Sequence, residues 1–151
     1  MKLKLGDIEF EAAHYIKYHE KCSNIHGHTY VISDLTLDVS DVKTDDKGIT
    51  IDFGTVRQTL LEHFDHAFFI PKEDYAFWDN IRTSLYQRGI GLKLVCVEQT
   101  SVEALAKYIQ RFIKTIFGVD CTFELYEGLE NAVILEGYCS STASPLGGEI
   151  E

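Results

Sequence analysis

The sequence predicts an α+β domain, with helices laid on one face of an antiparallel sheet. Three observations carry that reading. Two strand-like runs, Leu3 to His14 and Thr29 to Val39, open the chain. A second pair, Val119 to Tyr126 and Ala132 to Tyr138, comes late in it. Between the pairs lie segments whose apolar residues recur at helical spacing.

The elements follow in order. Leu3 to His14 alternates well enough for a first strand, and residues 15–25, with Lys17, His19, Glu20 and Lys21, read as a polar loop. Thr29 to Val39 places Val31, Leu35, Leu37 and Val39 as apolar positions of a second strand. The charged stretch Asp41 to Gly48 suits a hairpin tip. Asp52 stands as an N-cap before Val56, Leu60, Leu61 and Phe64, which predicts a helix over about 54–64. Pro71 ends the segment after it. Glu73 to Arg88 carries Tyr75, Phe77, Trp78, Ile81 and Leu85 as a further helix, broken by Gly89-Ile90-Gly91 before a short strand, Leu92 to Val97. Thr100-Ser101-Val102-Glu103 has the form of a capping box. It opens a helix through Leu105, Tyr108, Ile109, Phe112, Ile113 and Ile116, which Gly118 stops. Glu127 to Asn131 is the turn of the last hairpin. Residues 1–138 read as one domain, and 139–151, rich in Ser, Gly and Pro, as a flexible tail.

Composition narrows the function. The 151 residues are 45% hydrophobic and carry a net charge of -10, so a nucleic-acid surface, which would be basic, is not expected. An anionic substrate would need a local basic patch. No apolar run approaches the roughly 20 residues of a membrane span. The N-terminus lacks the apolar core of a signal peptide, and the four cysteines form no CxxC pair, so reduced thiols in a cytoplasm are expected.

The chemistry concentrates in Cys22-Ser23-Asn24-Ile25-His26-Gly27-His28-Thr29-Tyr30. On a strand, alternate side chains share a side, so His26 and His28 would face one point, with Gly27 between them. His14 ends the other strand-like run. Three neutral imidazoles with an open position form the ligand set of a catalytic zinc site. A thiol beside it, Cys22, becomes a candidate nucleophile or base, because a nearby cation favours the thiolate. Singly, each piece has an ordinary reading: a satisfied strand histidine, or a small buried thiol. An Asp-His pair, Asp65-His66, at a helix end is commonly structural but can also be an acid/base couple.

Five landmarks then fall in one order: Phe10-Glu11-Ala12-Ala13-His14, Cys22-x3-His26-Gly27-His28-Thr29-Tyr30, Ile51-Asp52-Phe53, Phe64-Asp65-His66-Ala67-Phe68 and Leu125-Tyr126-Glu127. In these the chain resembles the 6-pyruvoyl-tetrahydropterin synthase and 6-carboxy-tetrahydropterin synthase family of tunnelling-fold enzymes, over roughly residues 3–138. The resemblance implies a four-stranded antiparallel sheet with two helices, and subunits joined into barrels, usually hexamers made of two trimers. It implies zinc on His14, His26 and His28, Cys22 as catalytic thiol, Asp65 and His66 as its proton-handling partners, and Glu127 as the anchor of the pterin ring. Cys22 and Asp65-His66 would then come from different subunits.

Two features depart from the family. Its second long helix usually opens with a Pro-Thr-x-Glu-Asn-like stretch; here Thr100-Ser101-Val102-Glu103-Ala104 keeps a hydroxyl and a carboxylate, Ser101 and Glu103, as pterin contacts. Residues 72–99 are an insertion.

The implied substrate is 7,8-dihydroneopterin triphosphate. Lys17, Lys21 and Arg57 are the local candidates for its phosphates. The absence of GxGxxG agrees with a reaction that needs no nicotinamide. The Cys22-x3-His26 gap is similar to that of the carboxy branch, which also releases acetaldehyde and feeds 7-deazaguanine (queuosine or archaeosine) synthesis. The pyruvoyl branch, which keeps the three-carbon side chain, is the alternative. A non-catalytic zinc- or pterin-binding protein of the same fold is the second.

Overall fold

The computed structural model describes residues 1–140. Of the tail expected over 139–151, residues 141–151 lie outside the described residues. Among the described residues seven strands form one mixed sheet: β1 (Lys2–Lys4), β2 (Ile8–His14), β3 (His26–Asp38), β4 (Ala67–Pro71), β5 (Lys93–Val97), β6 (Asp120–Glu127) and β7 (Asn131–Ile134). Joining them, among the same residues, are the α-helices α1 (Phe53–Phe64), α2 (Tyr75–Tyr86) and α3 (Val102–Phe117). The spatial order is β5-β4-β2-β3-β6-β7, with β1 also on β3.

The four-stranded antiparallel sheet expected from the sequence is too small: β2-β3-β6-β7 form an antiparallel unit, which β1 and the parallel strands β4 and β5 extend to seven. The single first strand read over Leu3 to His14 is split, and both pieces pair antiparallel with β3. At the break, Arg57 of α1 donates to the carbonyls of Asp7 (2.8 Å) and Gly6 (3.2 Å), which serve no ladder there. The charged stretch after β3 is no hairpin tip. Asp45 closes it by accepting from the amides of Lys47 and Ile49, and the chain then enters α1.

Residues 67–71, where the sequence predicts no strand, form β4, which runs parallel to both β2 and β5. All five of its residues are buried. A short apolar run buried on both faces has no alternation to reveal it. β4 therefore serves two cores. Ala67 and Phe69 face the main core, with Val56, Leu60 and Phe64 of α1 and Leu105, Ile109, Phe112 and Ile113 of α3. Phe68 and Ile70 face a second cluster with Tyr15 and Leu94, against which Tyr75 and Trp78 of α2 pack. So α1 and α3 share one sheet face as expected, while α2, within residues 72–99, covers the other.

Helix ends obey local chemistry. The Asp52 side chain accepts from Thr55 N at 2.7 Å. Gly118 closes α3 at φ 71, where a side chain would be strained. The capping box fails by one residue: Ser101, not Thr100, is the cap, accepting from Ala104 N at 3.3 Å. Thr100 is drawn away by donating its hydroxyl to the Tyr15 carbonyl at 2.5 Å.

Between α1 and α3, the His63 ring stacks on Phe112 with centroids 4.4 Å apart and its Nε2 meets the Tyr108 hydroxyl at 3.3 Å. Burial first, and then the Lys93 charge, push its pKa from 6.5 to about 4. The unfolded chain therefore takes up this proton first as pH falls. The stability His63 contributes is complete above about pH 6.5 and drains away towards pH 4. Urea midpoints measured from pH 7 to pH 4 are expected to fall less steeply in His63→Phe than in the parent protein; equal slopes would contradict this.

Candidate metal centre and active site

The site is built on the register of β2 and β3. His14 pairs directly with His26, Ala12 with His28 and Phe10 with Tyr30. Facing residues of an antiparallel pair project to the same side, so the three imidazoles converge. Their ligating atoms all lie within 4.8 Å of one another. At Gly27, between His26 and His28, an added Cβ would meet the Ala12 carbonyl at 3.4 Å.

Hydrogen bonds set the tautomers. His14 Nδ1 donates to the Thr100 carbonyl at 2.7 Å, and His26 Nδ1 donates to the Asn24 carbonyl at 2.6 Å. Each ring then carries a lone pair on Nε2, and these two atoms face each other at 3.0 Å. Two lone pairs so placed repel unless a cation lies between them. His28 Nε2 is also buried and, among the described residues, has no hydrogen-bond partner. Burial chiefly lowers the pKa of His14, which favours the neutral, ligating form. These residues fit a metal ion.

Glu127 pairs with Tyr30 across β3 and β6 and so reaches the same face. Its carboxylate lies 3.5 Å from His28 Nε2 and 3.9 Å from His14 Nε2. The buried Tyr30 hydroxyl donates to it at 3.4 Å, and burial and the Glu127 charge push that phenol's pKa up.

The other sequence candidates lie apart. Cys22 occupies a single helical turn, Lys21–Ser23, and is partly exposed; its carbonyl accepts from Ile16 N at 2.7 Å. It does not join the imidazole cluster. Asp65 and His66 stand at the junction of α1 and β4, with His66 Nδ1 and Asp65 Oδ2 3.0 Å apart. The Glu11 amide, at 3.0 Å from Oδ1, and then the His66 imidazole hold the Asp65 carboxyl below the usual carboxylate range. The couple opens onto a cleft of about 540 Å³ lined by Leu61, Asp65, His66, Gly91, Leu92 and Lys93. Among the described residues no hydrogen bond or ion pair links it to the three histidines. Ser101 spends its oxygen on the α3 cap, and Glu103 is exposed in the first turn of that helix.

Two of the three phosphate candidates are already engaged. Lys17 pairs with Asp74 at 2.6 Å and Glu73 at 3.1 Å, and Arg57 holds the Gly6 and Asp7 carbonyls. The sequence reading missed the carbonyls of Thr100 and Asn24, because a backbone oxygen carries no residue-type signal. It also missed Lys93.

Residues 6–137 match the family described as 6-pyruvoyl tetrahydropterin synthase. The chain belongs to this family. The 6-carboxy-5,6,7,8-tetrahydropterin synthase of Rickettsia felis is 35% identical over 86 residues, which cover 54% of this chain and 60% of that protein. The enzyme of the same name from Rickettsia bellii is 33% identical over 91 residues, 57% of this chain and 64% of its own length. The match thus spans less than two thirds of these curated relatives. The solved 6-pyruvoyl tetrahydropterin synthase of Plasmodium falciparum superposes with a TM-score of 0.51 at 17% identity, covering 91% of this chain and 99% of that one. That likeness is one of fold, the α+β tunnelling fold expected from sequence.

Within this family member, replacing His14 or His28 by Ala is expected to weaken metal binding by more than about 100-fold, the upper end of what loss of a mere outer partner costs. Competition with a chromophoric chelator measures it. A variant that keeps parental affinity would remove that histidine from the ligand set.

Proposed function

We propose that the protein converts 7,8-dihydroneopterin triphosphate and water to 6-carboxy-5,6,7,8-tetrahydropterin, acetaldehyde and triphosphate, as a zinc-dependent lyase of 7-deazaguanine synthesis. The convergence of His14, His26 and His28 beside the Cys22-x3-His26 spacing carries the reading. The names of the curated relatives support the carboxy branch. Neutral imidazoles around one point suit zinc, which when bound would act as a Lewis acid towards the hydroxyls of the substrate side chain.

The chain's own groups do the rest. Cys22 takes and returns a proton at the side-chain carbon, and the Asp65-His66 couple moves a second one. Glu127 accepts hydrogen bonds from the amino group and adjacent N–H of the pterin, with Ser101 and Glu103 at the rim. The pterin ring gains the electrons that its side chain loses, so no nicotinamide takes part. The His66 side chain is 79% exposed, and among the described residues no hydrogen bond or ion pair joins it to the three histidines. A homohexamer in which one subunit's couple meets another's zinc and Cys22 accounts for that separation. A cytoplasm, where Cys22 stays reduced, suits the reaction.

The family description itself favours a second reading, release of triphosphate with the three-carbon side chain retained as 6-pyruvoyl-tetrahydropterin. Incubation of zinc-loaded protein with the substrate, followed by mass spectrometry and an acetaldehyde assay, separates the two. Carboxytetrahydropterin with acetaldehyde is the expected result. Pyruvoyltetrahydropterin without acetaldehyde selects the second reading, and unchanged substrate leaves a binding protein.

Cys22→Ala is expected to lower turnover by at least about 100-fold, the lower range of acid–base contributions, while zinc remains at parental stoichiometry. Loss of zinc in that variant would make Cys22 a ligand and sink the proton-transfer role.

A further inference from the structure

We infer that Lys93 is a positioning residue for the Asp65-His66 couple, holding from β5 the peptide bond that joins the two side chains. The inference rests on the catalytic reading of that couple given above. Lys93 pairs with Ala67 in the parallel register of β4 and β5, one residue past His66. Its ammonium donates to the Asp65 carbonyl at 2.5 Å and to the Glu62 carbonyl at 2.7 Å. Both oxygens belong to the end of α1, where carbonyls lack partners inside the helix and the dipole favours a cation.

The opposite end of the same peptide is held from β2. His66 N donates to the Glu11 carbonyl at 2.7 Å. The plane between Asp65 and His66 is therefore gripped at its oxygen by Lys93 and at its N–H by Glu11. The grip matters because His66 adopts φ 60, a left-handed conformation that a residue with a side chain keeps only when its surroundings impose it. That conformation turns the chain sharply from α1 into β4 and leaves the His66 Nδ1 beside the Asp65 carboxylate. Without Lys93 the N–H remains held and the carbonyl is released, so the peptide can rotate and the imidazole swings away from the carboxylate.

Lys93 also lines the cleft onto which the couple opens, with Gly91 and Leu92 of the same segment. Residues 72–99, which the sequence marks as inserted, thus supply a wall and a clamp for this part of the site. Lys93 needs no contact with substrate to act; its effect passes through the backbone.

The test compares Lys93→Met, His66→Ala and the double variant, each zinc-loaded, in steady-state turnover of 7,8-dihydroneopterin triphosphate. Lys93→Met is expected to lower kcat by about 10- to 100-fold, the scale of a 1 Å misplacement, with KM within about twofold of parental. In the His66→Ala background the same substitution is expected to change kcat by less than about twofold, because a residue acting through His66 has nothing left to position. Lys93→Arg, which keeps a cation and donors at both carbonyls, should recover most of the turnover.

Parental kcat in Lys93→Met, with His66→Ala impaired, overturns the inference and leaves the catalytic couple standing. Additive losses in the double variant also overturn it, since they mark a general structural effect. Parental turnover in His66→Ala removes the catalytic couple itself, and the inference with it. Should Lys93→Met fail to fold, Lys93→Gln, with one neutral donor on a shorter arm, carries the same cycle.

Discussion

The pairing of β2 with β3 is the constraint on which the site depends. Because side chains alternate, a slip of one residue would turn His26 and His28 to the far face and leave His14 opposite Gly27 or Ile25. The core forbids that slip. Ile8, Phe10, Tyr30 and Ile32 occupy the same alternate positions and are buried, and Phe10 stacks on Tyr30 with centroids 5.3 Å apart. The burial pattern that fixes the sheet thus also aims the imidazoles. A candidate ligand set built this way is ordered by the sheet itself, so metal binding would not have to supply the ordering of three separate side chains.

How much of this the sequence discloses depends on the range of each signal. Strand alternation and helical spacing are local, and they identify β3, α1, α3 and the convergence of His26 with His28. Asp52 and Gly118 mark helix ends by their own chemistry. β4 escapes because burial on both faces removes its alternation, and with it goes the parallel extension of the sheet. The side covered by α2 escapes because the apolar residues of α2 say that it packs, not against which face. Thr100 and Ser101 are adjacent hydroxyl residues and either can cap; a long-range bond to Tyr15 decides between them. Arg57 and Lys17 look free in sequence, and only tertiary structure shows what they hold.

Residues 72–99 do more than cover one face of the sheet. The Tyr15 hydroxyl donates to Asp74 at 2.5 Å and accepts from Trp78 Nε1 at 2.8 Å, both contributed by the segment at α2. Burial, with the Asp74 hydrogen bond, pushes the Tyr15 phenol's pKa up to about 12, so it keeps its proton for that bond. The Tyr15 carbonyl holds the Thr100 hydroxyl, and the Thr100 carbonyl holds His14 Nδ1. A continuous run of contacts therefore leads from α2 to an imidazole of the candidate metal centre, and His14, the residue just before Tyr15, is held through its neighbour's backbone and through its own ring.

The two halves of the proposed site are accordingly held by different means. His14 is 1% exposed and its ring is bonded within the chain, which suits a group that must stay neutral and fixed. The His66 imidazole is 79% exposed, and what is fixed there is its backbone. On the proposed reading His66 carries a proton, which needs contact with substrate and water that a buried ring would lack, yet a position that does not drift. Gripping the peptide while freeing the ring meets both needs. The left-handed turn at His66, the Glu11 bonds from β2 and the Lys93 bond from β5 act together to that end.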